Sequence, residues 1–203
     1  MRAIRARLAA AAAAIAVGGC VTAVGVTPAP DGTTVPAARA GTPGLIRNAD
    51  FEAAPTPGRD CPPSWWCTMH NDPKSFRFEL ASAPGSSGRF LKVTRVKPEP
   101  WALVTQGVSA TGLAGKRMRV SVAVNAEGLE GEAGPMIILQ GPGGRVIGER
   151  KVLLKRGPGW RRASAELDVV AGTEQVEIGL LVEGGGWAGS DGVDATVLAP
   201  ADP

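Results

Sequence analysis

The chain contains no tyrosine, a single histidine, three cysteines and only nine aromatic residues among 203. One histidine and three cysteines leave few ligands for a catalytic zinc site or a cysteine–histidine nucleophile pair. No G-x-S-x-G nucleophile elbow occurs. No apolar run reaches the roughly 20 residues of a membrane-spanning helix. We therefore expect neither a polytopic membrane protein nor an enzyme, unless acidic residues converge only in the fold.

The first 19 residues carry three arginines and no acid, and an apolar stretch runs from Leu8 to Val17. A basic start, an apolar core of about ten residues and small residues before a cleavage point are typical of a secretory signal peptide. Residues 17–20, Val-Gly-Gly-Cys, resemble the lipobox of bacterial lipoproteins. The resemblance implies cleavage before Cys20, which is then lipidated and anchors the protein in the cell envelope. The alternative is an ordinary signal cleavage nearby that leaves Cys20 as a free thiol.

The formal charge of +3 depends on the signal segment, because removing its three arginines leaves 19 basic and 19 acidic residues. A balanced charge does not support nucleic-acid binding, which needs a clustered basic surface. Arg117 and Arg119 share one face of a predicted strand, and we expect them to belong to a solvated sheet face. In the lipoprotein family, Val21 after the cysteine indicates the outer membrane, with the domain facing the periplasm or the cell surface.

Residues 20–43 are rich in proline, threonine, alanine and glycine and show no apolar periodicity. This composition predicts a flexible, disordered linker between the lipidated cysteine and a folded domain. From residue 44 onwards, this composition gives way to short stretches in which apolar and polar residues alternate. The sequence therefore predicts a signal peptide over 1–19, a tether over 20–43 and one domain over 44–203.

The domain shows the two-residue period of strands that bury one face. Gly- and Pro-rich turn signals separate the stretches, and no sustained 3.6-residue period appears after the signal peptide. About nine strands with such turns predict an all-β antiparallel sandwich or jelly roll. Residues 136–139 form a continuous apolar run, as in a central strand. The clearest alternating stretches cover residues 91–94, 118–124, 163–169 and 176–182.

Several short motifs resemble, in order, those of carbohydrate-binding modules with the galactose-binding-like jelly roll. Together they cover about 150 residues. The matching segments are Leu45–Glu52 (like N-G-x-F-E), Gly88–Thr94 (like G-x-x-S-L-x-V), Trp101–Val108 (like W-x-x-x-x-Q-x-V), Leu113–Ser121 (like L-x-G-K-x-Y-x-x-S) and Trp187–Val193 (like the final D-D-V strand).

This resemblance implies a jelly-roll fold and a non-catalytic domain whose ligand is a glycan. It also implies a structural calcium that joins the opening carboxylate, Glu52, to the final strand at Asp191. Calcium takes six or more oxygen ligands, and backbone carbonyls would supply the remainder. No other cofactor is expected. Two ordinary solvated acids are the alternative for Glu52 and Asp191.

The segment from Cys61 to Cys67 reads Cys-Pro-Pro-Ser-Trp-Trp-Cys. If Cys20 is lipidated, these two cysteines remain, and the oxidising envelope favours a local disulfide between them. The alternatives are a metal site formed with His70 and a redox pair, although a redox pair usually has two intervening residues. A disulfide would close a small loop that presents Trp65 and Trp66.

Aromatic rings bind sugars because pyranose faces expose C–H groups that stack on π-surfaces, while nearby polar groups recognise the hydroxyls. The candidate binding residues are the stacking rings Trp65 and Trp66 with the polar partners His70, Asn71 and Arg77. The alternative is that these tryptophans pack inside the sandwich. We expect the other three tryptophans to be core or rim residues. A different class of function is a structural or assembly protein of the envelope that binds a protein partner through the same sandwich.

Overall fold

The computed structural model describes residues 45–82 and 88–198. The predicted signal peptide over 1–19, the lipidated Cys20 and the linker over 20–43 lie outside the described residues. None of the helical segments within the described ranges has the length and apolar character needed to cross a membrane.

Ten strands and one short 3-10 turn, Pro142–Gly144, make up the regular structure of the described residues. This confirms the all-β prediction. The strands are β1 (Trp66–Met69), β2 (Phe76–Ser82), β3 (Arg89–Arg95), β4 (Trp101–Ser109), β5 (Arg117–Asn125), β6 (Leu129–Gln140), β7 (Val146–Lys151), β8 (Leu154–Lys155), β9 (Trp160–Asp168) and β10 (Gln175–Leu198).

The strands form two antiparallel sheets that share their central strand. Sheet I has the order β2-β3-β10-β5-β9. Sheet II has the order β1-β4-β10-β6, and β7 and β8 both pair with the far edge of β6. The first half of β10 pairs within sheet II and the second half pairs within sheet I. The chain is thus a sandwich whose two layers are joined through one continuous strand.

The change of sheet occurs at Gly184-Gly185-Gly186, for which the sequence predicts a turn. The structure corrects this, since pairing between β10 and β6 continues up to Gly186 opposite Leu129. Gly184 and Gly186 adopt φ of 87° and 75°, in the region that favours glycine. A Cβ at Gly186 would lie 2.0 Å from the carbonyl oxygen of Gly128. Glycine therefore allows the strand to bend from one sheet to the other without breaking.

The hydrophobic core fills the space between the two sheets. Alternation along each strand decides which side chains enter it, as the two-residue period predicts. Full burial of each large apolar side chain contributes about 1.5–3 kcal/mol relative to exposure. The largest fully buried side chains include Phe51, Trp65, Leu91, Met118, Leu129, Ile137, Leu139, Ile178 and Leu180.

The outer face of sheet I is charged. Arg117 forms two hydrogen bonds with the carboxylate of Asp168, at 2.6 and 2.8 Å, across strands β5 and β9. Arg119 contacts Glu166 in the same way at 2.6 Å. These bonds lower the pKa of Asp168 and raise the pKa of Arg117. The two arginines are therefore part of an ion-paired, solvated sheet face.

Candidate ligand-binding face

Cys61 and Cys67 form a disulfide, which confirms the prediction. Their Cα atoms are 5.7 Å apart, within the usual range for a bonded pair. The bond consumes both thiols, so the alternative of a metal site with His70 does not describe this structure. Within residues 45–82 and 88–198, no group of three or more histidine, cysteine or acidic side chains could hold a metal ion.

Trp65 lies inside the sandwich, with only 1% of its surface exposed. Its ring centroid is 5.3 Å from that of Phe51, and its Nε1 donates a hydrogen bond to the carbonyl oxygen of Asn48 at 3.0 Å. The buried indole thus has both apolar contacts and a partner for its N–H. A ring in this position offers no surface to a sugar, so the expectation that Trp65 is a stacking platform is not met in this structure.

Trp66 has the opposite environment and is 68% exposed. It begins β1, opposite Thr105 of β4. Within β1, Cys67 and Met69 pack against the core, so alternation turns Trp66 and Thr68 outward. The turn before the strand is closed by a hydrogen bond from the Trp65 N–H to Pro62, and Ser64 adopts a left-handed φ of 71°. The disulfide spans this turn and holds it against β1.

His70 follows β1 and is exposed, like Trp66 and Thr68 at the alternate positions before it. Its Nδ1 lies 3.1 Å from Oε2 of Glu99, and its ring meets Trp101 edge-on at 5.8 Å. Asn71 is exposed in the next position of the loop. The structure therefore brings His70 and Asn71 to the same edge of sheet II as Trp66.

Arg77 does not join this group. It lies in β2 of sheet I between Phe76 and Phe78, which are buried in the core, so it points away from the sandwich on the opposite side. There it pairs with Glu79 at 3.7 Å. The predicted five-residue set thus separates into buried Trp65, distant Arg77 and a local group of Trp66, His70 and Asn71.

The outer face of sheet II carries a second, smaller hydrophobic cluster that the sequence analysis missed. Met136, Ile138 and Leu181 are buried there, although they point away from the main core. The partly buried side chains of Trp101, Leu103 and Leu153 pack against them. This explains the continuous apolar run at residues 136–139, because Ile137 and Leu139 face the core while the other two face outward.

Charged side chains border this apolar floor on its far side. Lys151 of β7 contacts Glu183 of β10 at 2.6 Å, and Lys155 contacts Glu132 at 3.7 Å. On the near side, the carboxylate of Glu99 accepts hydrogen bonds from the His70 ring and from the backbone N–H of Asp72. We call the whole surface, from Trp66 to Lys151, the binding face. Its composition, an apolar floor with aromatic and ionic edges, is typical of small-molecule sites.

A depression of about 430 Å³ lies beside Trp66, at the edge of β4. Strand β4 extends beyond the start of β1 here, and Gly107 and Ser109 form part of the wall. The other lining residues come from the segment before β1, from the start of β1 and from β4 itself, namely Leu45, Arg47, Arg59, Ser64, Trp65, Trp66, Gln106 and Val108.

Of the predicted calcium ligands, Glu52 lies in the segment before β1 and Asp191 lies in β10, opposite Ala123 of β5. The backbone N–H of Val193 donates to the carbonyl oxygen of Ala49 at 2.9 Å, which ties the opening segment to β10. The carboxylate of Glu52 accepts a hydrogen bond from the backbone N–H of Arg89 and lies 3.5 Å from its Nε. Glu52 is therefore already engaged by a cation from the chain itself.

Asp191 is buried, and burial raises its pKa to about 6. The negative charges of Asp50 and Glu52 add to the rise, while a hydrogen bond from the Gly192 N–H and the charge of Arg162 oppose it. Carboxylates that repel one another are a donor set that calcium favours. The three are nevertheless not close enough to form a metal-holding group of described residues. The structural calcium stays a prediction.

No protein-family model matches the sequence, and a search of curated proteins finds no similar one. Solved structures do resemble the fold. The enzymatically active domain of bacteriophage CBA120 tailspike protein 4 matches 76% of this chain with a TM-score of 0.56 and 12% identity. This chain spans only 21% of that tailspike chain.

Two carbohydrate-binding modules match over nearly their whole length. One is TmCBM61 in complex with β-1,4-galactotriose, with a TM-score of 0.52 and 19% identity over 77% of this chain and 100% of the module. The other is the CBM22-1 xylan-binding domain of Xyn10C from Paenibacillus barcinonensis, with a TM-score of 0.51 and 10% identity over 75% of this chain and 94% of the module. Identities this low show the fold alone. The chain has the β-sandwich fold of carbohydrate-binding modules, as the sequence motifs predict.

Proposed function

We propose that this domain binds glycans without catalysis, through the binding face of sheet II. One observation carries the proposal: Trp66 and Trp101 lie on the same face of neighbouring strands, with an apolar floor beside them. Trp66 stands opposite Thr105, and Trp101 is four residues further along β4. At about 3.3 Å per residue the two positions are roughly 13 Å apart along the strand. That separation suits an extended saccharide chain.

The surroundings of the rings support the same ligand class. Leu103 and Trp101, which are only partly buried, offer apolar contacts to the C–H faces of sugar rings, while Glu183 and Lys151 offer hydrogen-bonding groups to their hydroxyls. The fold shared with two carbohydrate-binding modules adds support for the class, without indicating which sugar is bound.

We further propose that the domain is held at the bacterial envelope through a lipid on Cys20. The basis is the arginine-rich start, the apolar stretch and the Val-Gly-Gly-Cys motif over 17–20. Val21 after the cysteine favours the outer membrane. Metabolic labelling with radioactive palmitate tests this directly. The protein should incorporate label, and Cys20→Ser should not; equal labelling of both would contradict the lipid anchor.

The test of glycan binding is affinity electrophoresis of the purified protein through gels containing soluble polysaccharides. The panel should include galactan, xylan and β-glucan, with Trp66→Ala and Trp101→Ala as variants. Each variant should weaken retention at least tenfold, because each removes one stacking surface. Val170→Ala is the control, since Val170 is 45% exposed in the turn between β9 and β10, away from the binding face.

Two outcomes oppose the proposal. Retention that both tryptophan variants preserve would place the glycan elsewhere on the domain. Absence of retention by every polysaccharide, from a protein that melts cooperatively, would favour the rival class, an assembly protein. A pull-down from detergent-solubilised envelope would then be the next measurement, and a stoichiometric protein partner that free sugars do not displace would establish that class.

A further inference from the structure

The depression beside Trp66 has an unusual charge for a sugar-binding surface. Two of its lining residues, Arg47 and Arg59, are arginines. None of the described residues that line it is acidic. On the same face, Glu177 of β10 lies opposite Gly107. The depression thus combines an exposed aromatic ring with two positive charges.

The two arginines differ from four arginines that lie on strands of sheet I. Arg77, Arg89, Arg117 and Arg119 each contact a carboxylate. Within residues 45–82 and 88–198, no carboxylate forms an ion pair with Arg47 or Arg59, and both side chains are exposed. Their guanidinium groups therefore retain the capacity to bind an anion.

The backbone of Arg47 and the side chain of Arg59 both make contacts that place these residues near Trp66. Two hydrogen bonds join the side chain of Gln106 to the backbone of Arg47. The Arg47 N–H donates a hydrogen bond to the Gln106 side-chain oxygen, and the Gln106 side-chain amide donates one to the Arg47 carbonyl oxygen. The guanidinium carbon of Arg59 lies 6.0 Å from the centre of the Trp66 ring, at the limit of cation–π contact. Trp66 itself begins a strand that the disulfide braces. Positive charge and stacking surface are thus positioned together.

We propose that this depression binds a negatively charged sugar residue, whose ring stacks on Trp66 and whose anionic group is held by Arg47 and Arg59. The inference rests on the proposed glycan-binding function and adds the class of sugar. A guanidinium presents two parallel N–H groups that match a carboxylate, so a uronic acid fits this site. Sulfated or phosphorylated sugars offer the same anionic chemistry. The volume of about 430 Å³ lies within the range of small-ligand sites.

The experiment uses matched pairs of polymers in affinity electrophoresis with the purified protein. Polygalacturonate is compared with its methyl ester, glucuronoxylan with carboxyl-reduced glucuronoxylan, and sulfated galactan with desulfated galactan. The members of each pair share one sugar backbone and differ at the anionic group, so the pairs separate charge recognition from sugar recognition and distinguish carboxylate from sulfate. Variants are Arg47→Gln and Arg59→Gln. Arg145→Gln, in the exposed turn between β6 and β7, removes the same charge three strands away from β4.

We expect at least one charged polymer to be retained at least ten times more tightly than its neutral form. Arg47→Gln and Arg59→Gln should each lower that retention at least tenfold, while Arg145→Gln should change it less than twofold. Glu177→Gln should raise the retention of the charged polymer, because it removes a negative charge that repels the anionic ligand. Added sodium chloride should weaken retention of the charged polymer by the wild-type protein, a readout that needs no variant.

The failures are distinguishable. Retention of neutral polymers equal to or better than that of their charged forms would overturn this inference and leave the glycan-binding proposal intact. Charged-polymer retention that both arginine variants preserve would also overturn it, because the anion would then bind elsewhere. Absence of retention by every polymer of every pair, from folded protein, would overturn both the inference and the proposed function.

Discussion

Trp65 and Trp66 are adjacent in the chain, yet one ring is buried in the core and the other is the most exposed large apolar side chain among the described residues. The cause is local geometry. Trp66 begins a strand whose next residue, Cys67, faces the core, whereas Trp65 completes the turn before it. The same disulfide-closed segment therefore contributes one tryptophan to stability and one to the surface.

The first prediction separates these two roles. Trp65→Ala should lower the free energy of unfolding by about 3–5 kcal/mol, because it removes a buried indole and leaves a cavity. Trp66→Ala should change it by no more than about 0.5 kcal/mol, as is usual for surface substitutions. Urea denaturation followed by circular dichroism measures both. Equal losses in the two variants would contradict the described orientation of the rings.

The second prediction concerns the disulfide between Cys61 and Cys67. Replacing both cysteines by serine should lower the free energy of unfolding by about 2 kcal/mol, the amount that chain entropy assigns to so short a loop. Retention of the glycan should weaken as well, because the turn that presents Trp66 loses its brace. Reducing agent should reproduce both effects in the wild-type protein and neither in the serine variant.

The third prediction is a pH dependence set by Asp191. Its pKa of about 6 in the folded protein lies above the ordinary value of 3.8, so the folded state holds the proton more tightly than the unfolded chain does. The stability that this protonation contributes is fully present below about pH 4 and is lost as the pH rises through 6. Asp191→Asn should remove this part of the pH profile. Melting temperatures measured between pH 4 and 8 in EDTA test it, and identical profiles for the two proteins would oppose it.

The fourth prediction tests the calcium site. If Glu52 and Asp191 hold calcium together with backbone oxygens, millimolar calcium should raise the melting temperature at pH 7 and EDTA should reverse the rise. Asp191→Asn should abolish the response. Magnesium is the control, since it demands a tighter octahedral arrangement and keeps its waters. An unchanged melting temperature in calcium would leave Arg89 as the cation that offsets the charge of Glu52.

The fifth prediction compares two residues that the sequence and the structure rank differently. Arg77 belongs to the predicted binding set but lies on the outer face of sheet I, whereas Trp101 lies on the binding face. Trp101→Ala should weaken glycan retention at least tenfold, and Arg77→Gln should leave it within twofold. The reverse result would place the ligand on sheet I.

The sequence predicts the fold well because alternation is a local signal. Stretches such as residues 118–124 show which side chains are buried before any partner strand is known, and the two cysteines that remain beside Cys20 indicate the disulfide. Along β4 this signal fails, because Trp101-Ala102-Leu103-Val104 is a continuous apolar run in which no residue is marked as outward-facing. The structure places Ala102 and Val104 in the core and Trp101 on the outer face, whereas the sequence analysis left Trp101 as a core or rim residue.

The candidate site could be predicted only in part because it depends on pairing between distant segments. The apolar floor joins β4, β6 and β10, whose relative order is not encoded in any one of them. Arg77 was grouped with Trp66 because the two are close in sequence, but β2 belongs to the other sheet. Trp65 and Trp66 cannot be ranked by composition, because a shift of one residue at the start of a strand exchanges their faces.

Strand β10 has a mechanical consequence for the whole domain. It is the central strand of both layers, with β4 and β6 on either side of its first half and β3 and β5 on either side of its second half. Moving one layer relative to the other must therefore bend β10 at Gly184–Gly186 or break its hydrogen bonds. A force applied across the domain would pass from one layer to the other along this single strand.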